Sequence, residues 1–224
     1  MSISINLDTI RQRALHAARL ARRSADDITL IAVSKTRPSQ MVTAAHQAGQ
    51  LHFGENYAQE LRDKAREIPK VHWHFIGRIQ TNKVRYIAPV AYRIHTLETL
   101  RQAEALSRRA PSTLHCLVSV NIGGEDSKSG VEPAKVIERC IELNQVPKIE
   151  VTGLMCMPPY TEDPEDTAPF FQEMAHLAEQ GRARGLSLHE LSMGMSHDFE
   201  VAIRYGATWI RVGTAIFGPR QLKA

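Results

Sequence analysis

The sequence predicts a (β/α)8 barrel of the TIM type, one domain over residues 1–224 with an extra helix before the first strand. Three observations predict it. Apolar, strand-like runs alternate with amphipathic helical runs, and that alternation makes a parallel sheet. Eight such units fit in 224 residues, a number that closes the sheet. Polar residues and glycines gather at the C-terminal end of nearly every strand candidate, the end where barrels carry their sites. An open doubly wound sheet is the competing fold. It would ordinarily need fewer strands, and no Gly-x-Gly-x-x-Gly turn follows the first one.

The extra helix comes first. Leu7, Ile10, Ala14, Leu15, Ala18 and Ala21 recur at helical spacing with arginines between them, and Asp26-Asp27 break the pattern. The first strand candidate, 28–36, is an apolar and β-branched run with a polar tip, Ser34-Lys35-Thr36. Pro38 then marks a helix start. Further strand candidates are 51–56, 71–77, 92–96, 114–121, 150–157, 187–193 and 208–217. Helix candidates are 39–49, 56–67, 80–88, 97–109, 133–144, 164–184 and 197–205, so every strand except the last is followed by a helix. Pro158-Pro159 to Pro164 reads as a loop.

Composition excludes several classes. The net charge of +4 is modest and its basic residues are dispersed, whereas nucleic-acid binding calls for a concentrated basic face. No apolar run is long enough to span a bilayer, and Met1 to Leu20 carries too many charges for a signal peptide. Cys116, Cys140 and Cys156 are scattered, odd in number and without Cys-x-x-Cys spacing, as in a reduced cytoplasmic protein.

Lys35 is the residue around which the chemistry gathers. At the end of a buried strand its ammonium is partly desolvated, which favours the neutral, nucleophilic amine that Schiff-base chemistry needs. An ordinary strand-end lysine reaching water fits the same stretch. The loop Met193-Gly194-Met195-Ser196, opening a helix near His197-Asp198, and Gly213-Thr214 at the eighth strand suit a phosphate, since barrels commonly place one between these two tips. Ser196 or Asp198 as a plain helix cap is the alternative. Arg211 is the odd residue in Thr208-Trp209-Ile210-Arg211-Val212-Gly213. Pointing inward it needs an acceptor, such as a ring nitrogen without a proton; pointing outward it would meet an acidic helix residue. His72 and His74 share a strand face, but no third metal ligand accompanies them, so they read as core histidines. Lys128, in the loop Gly123–Gly130, reads as a solvated or lid lysine, because the Gly-Lys-[Ser/Thr] order of a phosphate loop is missing.

Seven motifs carry a family resemblance. They are Val33-Ser34-Lys35-Thr36, Phe53-Gly54-Glu55-Asn56-Tyr57-Ala58-Gln59-Glu60, the run from Trp73 to Lys83, Asp126-Ser127-Lys128-Ser129-Gly130, Gly153-Leu154-Met155, Leu191-Ser192-Met193-Gly194-Met195-Ser196, and the run from Arg211 to Gly218. Together, in one order over nearly the whole chain, they closely resemble the pyridoxal phosphate homeostasis (YggS/PROSC-type) protein family, which is similar to the N-terminal barrel of alanine racemase. The resemblance implies that Lys35 forms a Schiff base with pyridoxal 5′-phosphate (PLP) and that Arg211 faces the pyridine nitrogen and keeps it unprotonated. It implies Ser196, Gly213 and Thr214 as the phosphate cradle, Asn56 at the polar edge of the ring, and His74 under or beside it. One position departs: the family often has Asp after the Met-Ser of the seventh tip, and here it is His197, followed by Asp198.

The implied function is intracellular, cytoplasmic PLP homeostasis: reversible Schiff-base storage and delivery of this vitamin B6 cofactor, without catalysis, by a monomer or weak dimer whose partners are PLP and PLP-accepting apo-enzymes. A low-activity PLP-dependent amino-acid racemase is the alternative. With the sequence ending at Ala224, two-base racemisation is expected to lack its second base unless Tyr57, Tyr160 or His74 supplies it. A cofactor-free barrel aldolase using Lys35 is a further rival, and a plain interaction scaffold would bind no cofactor.

Overall fold

A computed structural model of the protein describes residues 2–125 and 129–219, so Asp126, Ser127 and Lys128 lie outside the described residues. Eight parallel strands close into a barrel in chain order: β1 (Thr29–Val33), β2 (His52–Glu55), β3 (His72–Phe75), β4 (Arg93–Leu97), β5 (Leu114–Val120), β6 (Ile149–Cys156), β7 (Glu190–Ser192) and β8 (Trp209–Val212). The β1–β8 seam sets Ile31 beside Arg211, and the β2–β3 seam sets Gly54 beside His74. The extra helix is α1 (Ile3–Leu20). The helices after the strands are α2 (Ser39–Gln47), α3 (Ala58–Glu67), α4 (Val84–Ile87), α5 (Leu100–Ser107), α6 (Val136–Asn144), α7 (Ala168–Ala183), α8 (Phe199–Arg204) and α9 (Thr214–Phe217).

Two apolar layers form, as period-2 strands between a barrel interior and an outer ring of helices require. The inner one is small: Ile31, Leu117, Met155 and Trp209. The outer one joins strands to helices and holds Phe53, Phe75, Phe171 and Phe199, all fully buried. Each such side chain contributes about 1.5–3 kcal/mol by leaving water. The rest of the interior is unusually polar, with His74, His95, Ser192 and Arg211 all buried.

Helix α1 forms because Leu7, Ile10, Ala17 and Ala18 make one buried stripe, which packs on α8 and α9. Arg13 clamps it there, donating from Nε and Nη2 to the two carboxylate oxygens of Glu200 at 3.0 and 2.7 Å. α2 starts directly after Pro38.

Three boundaries differ from expectation. The eighth strand does not run through 217: it ends at Val212, and Gly213 caps the one-turn helix α9, whose Ile216 and Phe217 N–H groups donate to the Gly213 carbonyl. A short apolar run such as Ala215-Ile216-Phe217 has no periodicity that separates strand from helix. β7 spans three residues only, and the helix candidate 80–88 divides into a 3-10 turn, Thr81–Lys83, followed by α4.

Candidate functional site

A cavity of about 270 Å³ opens at the C-terminal ends of the strands. Its walls come from separate tips: Val33 at the end of β1 and Lys35 beyond it, Asn56 after β2, Ile76 after β3, Met155 of β6 and Met157 just past it. The β7–α8 loop adds Met195, Ser196 and His197, and β8 with its following turn adds Arg211, Gly213 and Thr214. Of the expected site residues, Lys35, Asn56, Ser196, Arg211, Gly213 and Thr214 therefore meet in one place.

His74 does not line this cavity. It is wholly buried in the barrel, with its ring nitrogens 3.0 Å from His52 Nδ1 and 2.9 Å from His95 Nε2. His72 stacks at 4.7 Å on His52 and at 4.3 Å on Tyr92. Among the described residues no group of three His, Cys, Asp or Glu side chains is arranged to hold a metal ion.

The turn that carries Lys35 is pinned on both sides. Ser34 Oγ donates to Glu55 Oε1 at 2.6 Å, and the Ser34 carbonyl accepts from Lys64 Nζ at 2.7 Å. On the other side, the Thr36 N–H donates to Glu60 Oε1 at 2.8 Å. Thr36 has φ of +62°, which costs a non-glycine residue roughly 1–3 kcal/mol and persists only where neighbours enforce it. Lys64 ties the set together, with Nζ 2.7 Å from both Glu55 Oε1 and Glu60 Oε1. Burial pushes the Glu55 carboxyl up to about 7, against the opposing pull of the Lys64 ammonium.

Gly77 fixes the position of Asn56. A Cβ at residue 77 would stand 2.0 Å from the Asn56 carbonyl oxygen, so the tips of β2 and β3 approach this closely only with glycine there. Asn56 Oδ1 is buried and has no hydrogen-bond partner among the described residues.

Two hydroxyls and a backbone N–H form a cradle between β7 and β8. Ser196 Oγ accepts from Gly213 N–H at 3.4 Å and from Thr214 Oγ1 at 3.3 Å. Ser196 is thus not a helix cap. The loop is closed instead by Asp198, whose Oδ1 accepts from Met195 N–H at 2.6 Å. Burial pushes the Asp198 carboxyl up, opposed by that N–H and by the Arg211 charge. Gly194, at φ +91°, lets this loop fold back tightly on Phe199 and Ala202.

Arg211 points inward. Nη1 donates to Ser192 Oγ at 2.6 Å and Nη2 to the Cys156 carbonyl at 2.9 Å. Burial lowers its pKa. Arg37, which also lines the cavity, donates to the Gly218 carbonyl. The sequence offered one signal for Arg37, its place two residues after Lys35 on the same tip. Lys64 offered none, since a lysine inside an amphipathic helix reads as solvated. The cavity therefore presents Lys35, Arg37 and Arg211, and none of the described residues lining it is acidic. An anion with an electrophilic carbon suits such walls.

A closed barrel with a lysine beyond its first strand and a hydroxyl cradle between its last two defines the alanine racemase N-terminal domain class. Residues 5–221 match the family described as "Alanine racemase, N-terminal domain". Alanine racemase of Clostridium difficile shares the fold at a TM-score of 0.78 and 14% identity, over 98% of this chain and 57% of that one. More specifically, the chain belongs to the pyridoxal phosphate homeostasis protein family. Members of that name from Pseudomonas aeruginosa and Aquifex aeolicus are 41% and 38% identical over 228 and 227 residues, covering 98% and 100% of their own lengths. The structure of PipY from Synechococcus elongatus with PLP bound matches with a TM-score of 0.78 and 34% identity, over 92% of this chain and 100% of that one.

Proposed function

We propose that this chain, as one barrel domain over residues 1–224, binds PLP and serves PLP homeostasis by reversible Schiff-base storage and delivery. The observation that carries this is the juxtaposition in one cavity of the Lys35 amine with the Ser196–Gly213–Thr214 cradle. The relatives' name and PLP-bound PipY support it.

The residues fit the group. PLP supplies an aldehyde that a neutral amine captures with loss of one water and releases with its return. Lys35 presents the amine, and the turn pinned by Glu55, Glu60 and Lys64 orients it. Ser196, Gly213 and Thr214 offer donors to a phosphate, and Arg37 adds charge at the same mouth. Arg211, which lines the cavity, would face the ring nitrogen with its guanidinium and keep a proton off it, which would weaken the ring as an electron sink. Asn56, whose Oδ1 has no partner among the described residues, would stand at the polar edge of the ring. His74 leaves the set, because both of its ring nitrogens are engaged inside the barrel.

Storage without catalysis is favoured over racemisation. What supports this is that Tyr57, Tyr160 and His74, the side chains considered for a second base, are not among the described residues lining the cavity. We place the protein in the cytoplasm as a monomer or weak dimer that hands PLP to apo-enzymes. No helix among the described residues is long and apolar enough to cross a membrane.

The test is an absorbance spectrum of the PLP-loaded protein before and after borohydride, with Lys35→Ala alongside. A violet-region band that reduction abolishes, with the label on Lys35, is expected. A protein that takes up no PLP would sink this function, and sustained turnover of an alanine enantiomer would replace storage with catalysis.

A further inference from the structure

The polar interior of the barrel is one continuous chain. Arg211 Nη1 lies 2.6 Å from Ser192 Oγ, which lies 2.8 Å from His95 Nδ1. His95 Nε2 lies 2.9 Å from His74 Nδ1, and His74 Nε2 lies 3.0 Å from His52 Nδ1. Five side chains from β8, β7, β4, β3 and β2 thus link the cavity to the N-terminal mouth, where His52 meets the rings of His72 and Tyr92.

Such a chain has a direction. A neutral imidazole has one N–H and one acceptor nitrogen, so three in series must all point the same way. A guanidinium only donates, so Ser192 Oγ must accept from Arg211. If Ser192 also accepted from His95, its own proton would have no acceptor among the described contacts. If Ser192 instead donates to His95 Nδ1, every group is satisfied. His95 then donates from Nε2 to His74, His74 donates from Nε2 to His52, and the last N–H faces the lower mouth.

The imidazoles are neutral for structural reasons. His74 and His95 are wholly buried. The groups facing them are mostly cationic or aromatic: Arg211 from β8, Arg93 from β4, His72 from β3, Tyr92, and Trp209. The carboxylate of Glu190 on β7 is paired with Arg93 at 2.8 Å and also accepts from Thr152. Asp198 and Cys156 act on the chain only at its Arg211 end. Burial and these cations hold His74 and His95 well below the usual histidine range and bring His52 down to about 4.

We infer that His52, His74 and His95 are positioning residues, a one-way hydrogen-bond relay that commits the Ser192 proton downward and so turns the Ser192 Oγ lone pairs toward Arg211. The inference rests on the proposed function for its consequence, the fixed placing of the guanidinium toward the ring nitrogen. The relay itself does not depend on PLP.

The test therefore has two arms. In the unmutated chain, labelled with 15N-histidine and free of PLP, two-bond 1H–15N spectra read each tautomer. We expect Nε2–H at His52, His74 and His95, unchanged for the buried pair across the range in which a free histidine titrates. Nδ1–H at His74 or His95, or a mixture, would overturn the relay. In the PLP-loaded protein, His95→Leu removes the acceptor for Ser192, while His95→Asn keeps a carbonyl oxygen in its place. The pH midpoint of the violet band is expected to move by about one unit in His95→Leu and to return most of the way in His95→Asn. An unmoved midpoint in a His95→Leu protein with wild-type PLP uptake would refute the positioning role. A wild-type protein that binds no PLP would sink the proposed function, with the tautomer arm still deciding the relay.

Discussion

Glu55 and Lys64 form an ion pair, Nζ to Oε1 at 2.7 Å, buried directly behind the turn that carries Lys35. Their side chains are 0% and 6% exposed, so neither charge is solvated by water. Ser34 and Glu60 hold the same set, with Ser34 Oγ and Lys64 Nζ both on Glu55 Oε1, while Glu55 Oε2 is buried without a hydrogen-bond partner among the described residues; the set forms the clamp that aims Lys35.

Breaking one side of that clamp is expected to be costly. Lys64→Met strands the Glu55 carboxylate and should lower stability by about 3–5 kcal/mol in denaturant unfolding. The double variant Lys64→Met, Glu55→Leu, which removes both charges, should recover much of that loss. A Lys64→Met protein as stable as wild type would show that the pair contributes no clamp.

The same carboxyl sets a pH dependence. Its folded-state pKa, about 7, lies above the ordinary 4.5, so the folded protein holds this proton more tightly than the unfolded chain. The stability it contributes is full below about 4.5 and is lost as pH rises through 7. Glu55→Gln cannot titrate, and its stability relative to wild type should rise from pH 5 to pH 8. Chemical unfolding of both proteins across that range checks the slope, and parallel curves would contradict the shift.

The cradle hydroxyls should matter for affinity and little for folding. Ser196→Ala and Thr214→Val each remove one donor to a charged phosphate, an effect of about 1.5–3 kcal/mol and therefore a tenfold or greater loss of PLP affinity. Melting temperatures should stay close to wild type. Since the two hydroxyls also bond each other at 3.3 Å, the double variant should lose less than the sum. Absorbance titration with PLP measures all three.

Gly77→Ala tests how closely the tips of β2 and β3 must approach. The new methyl group would overlap the Asn56 carbonyl at 2.0 Å, so backbone must move. A stability loss of more than about 2 kcal/mol, with weakened PLP uptake, is expected by thermal unfolding and titration. Wild-type behaviour in both would show that Asn56 tolerates displacement.

Much of the barrel could be read from the chain alone because its signals are local. Strand and helix periods alternate eight times, Pro38 stops one element and starts the next, and Lys35 stands at the boundary between an apolar run and a polar tip. Arg211 was visible as the one charge in an apolar strand, and a charge there has to point at something. Ser196, Gly213 and Thr214 followed from the place of the last two tips.

What the sequence could not settle depended on which strand lies beside which and on how far each tip reaches. A lysine on an amphipathic helix looks solvated until Glu55 of the neighbouring strand is found 2.7 Å away. His74 looks like a cofactor contact until its register beside Gly54 puts it inside the barrel between His52 and His95. The three relay histidines come from three strands, and no spacing along the chain records that they touch. The sequence alone determined the eight strand–helix units and their order, because these follow from local periodicity and backbone preference, while the ends of β7 and β8 and the division of the helix candidate 80–88 did not follow from it. Only the tertiary structure decided the buried Glu55–Lys64 clamp, the placing of His74 and the contacts that join His52, His74, His95 and Ser192, because each is a contact between strands or helices that closure of the barrel brings together.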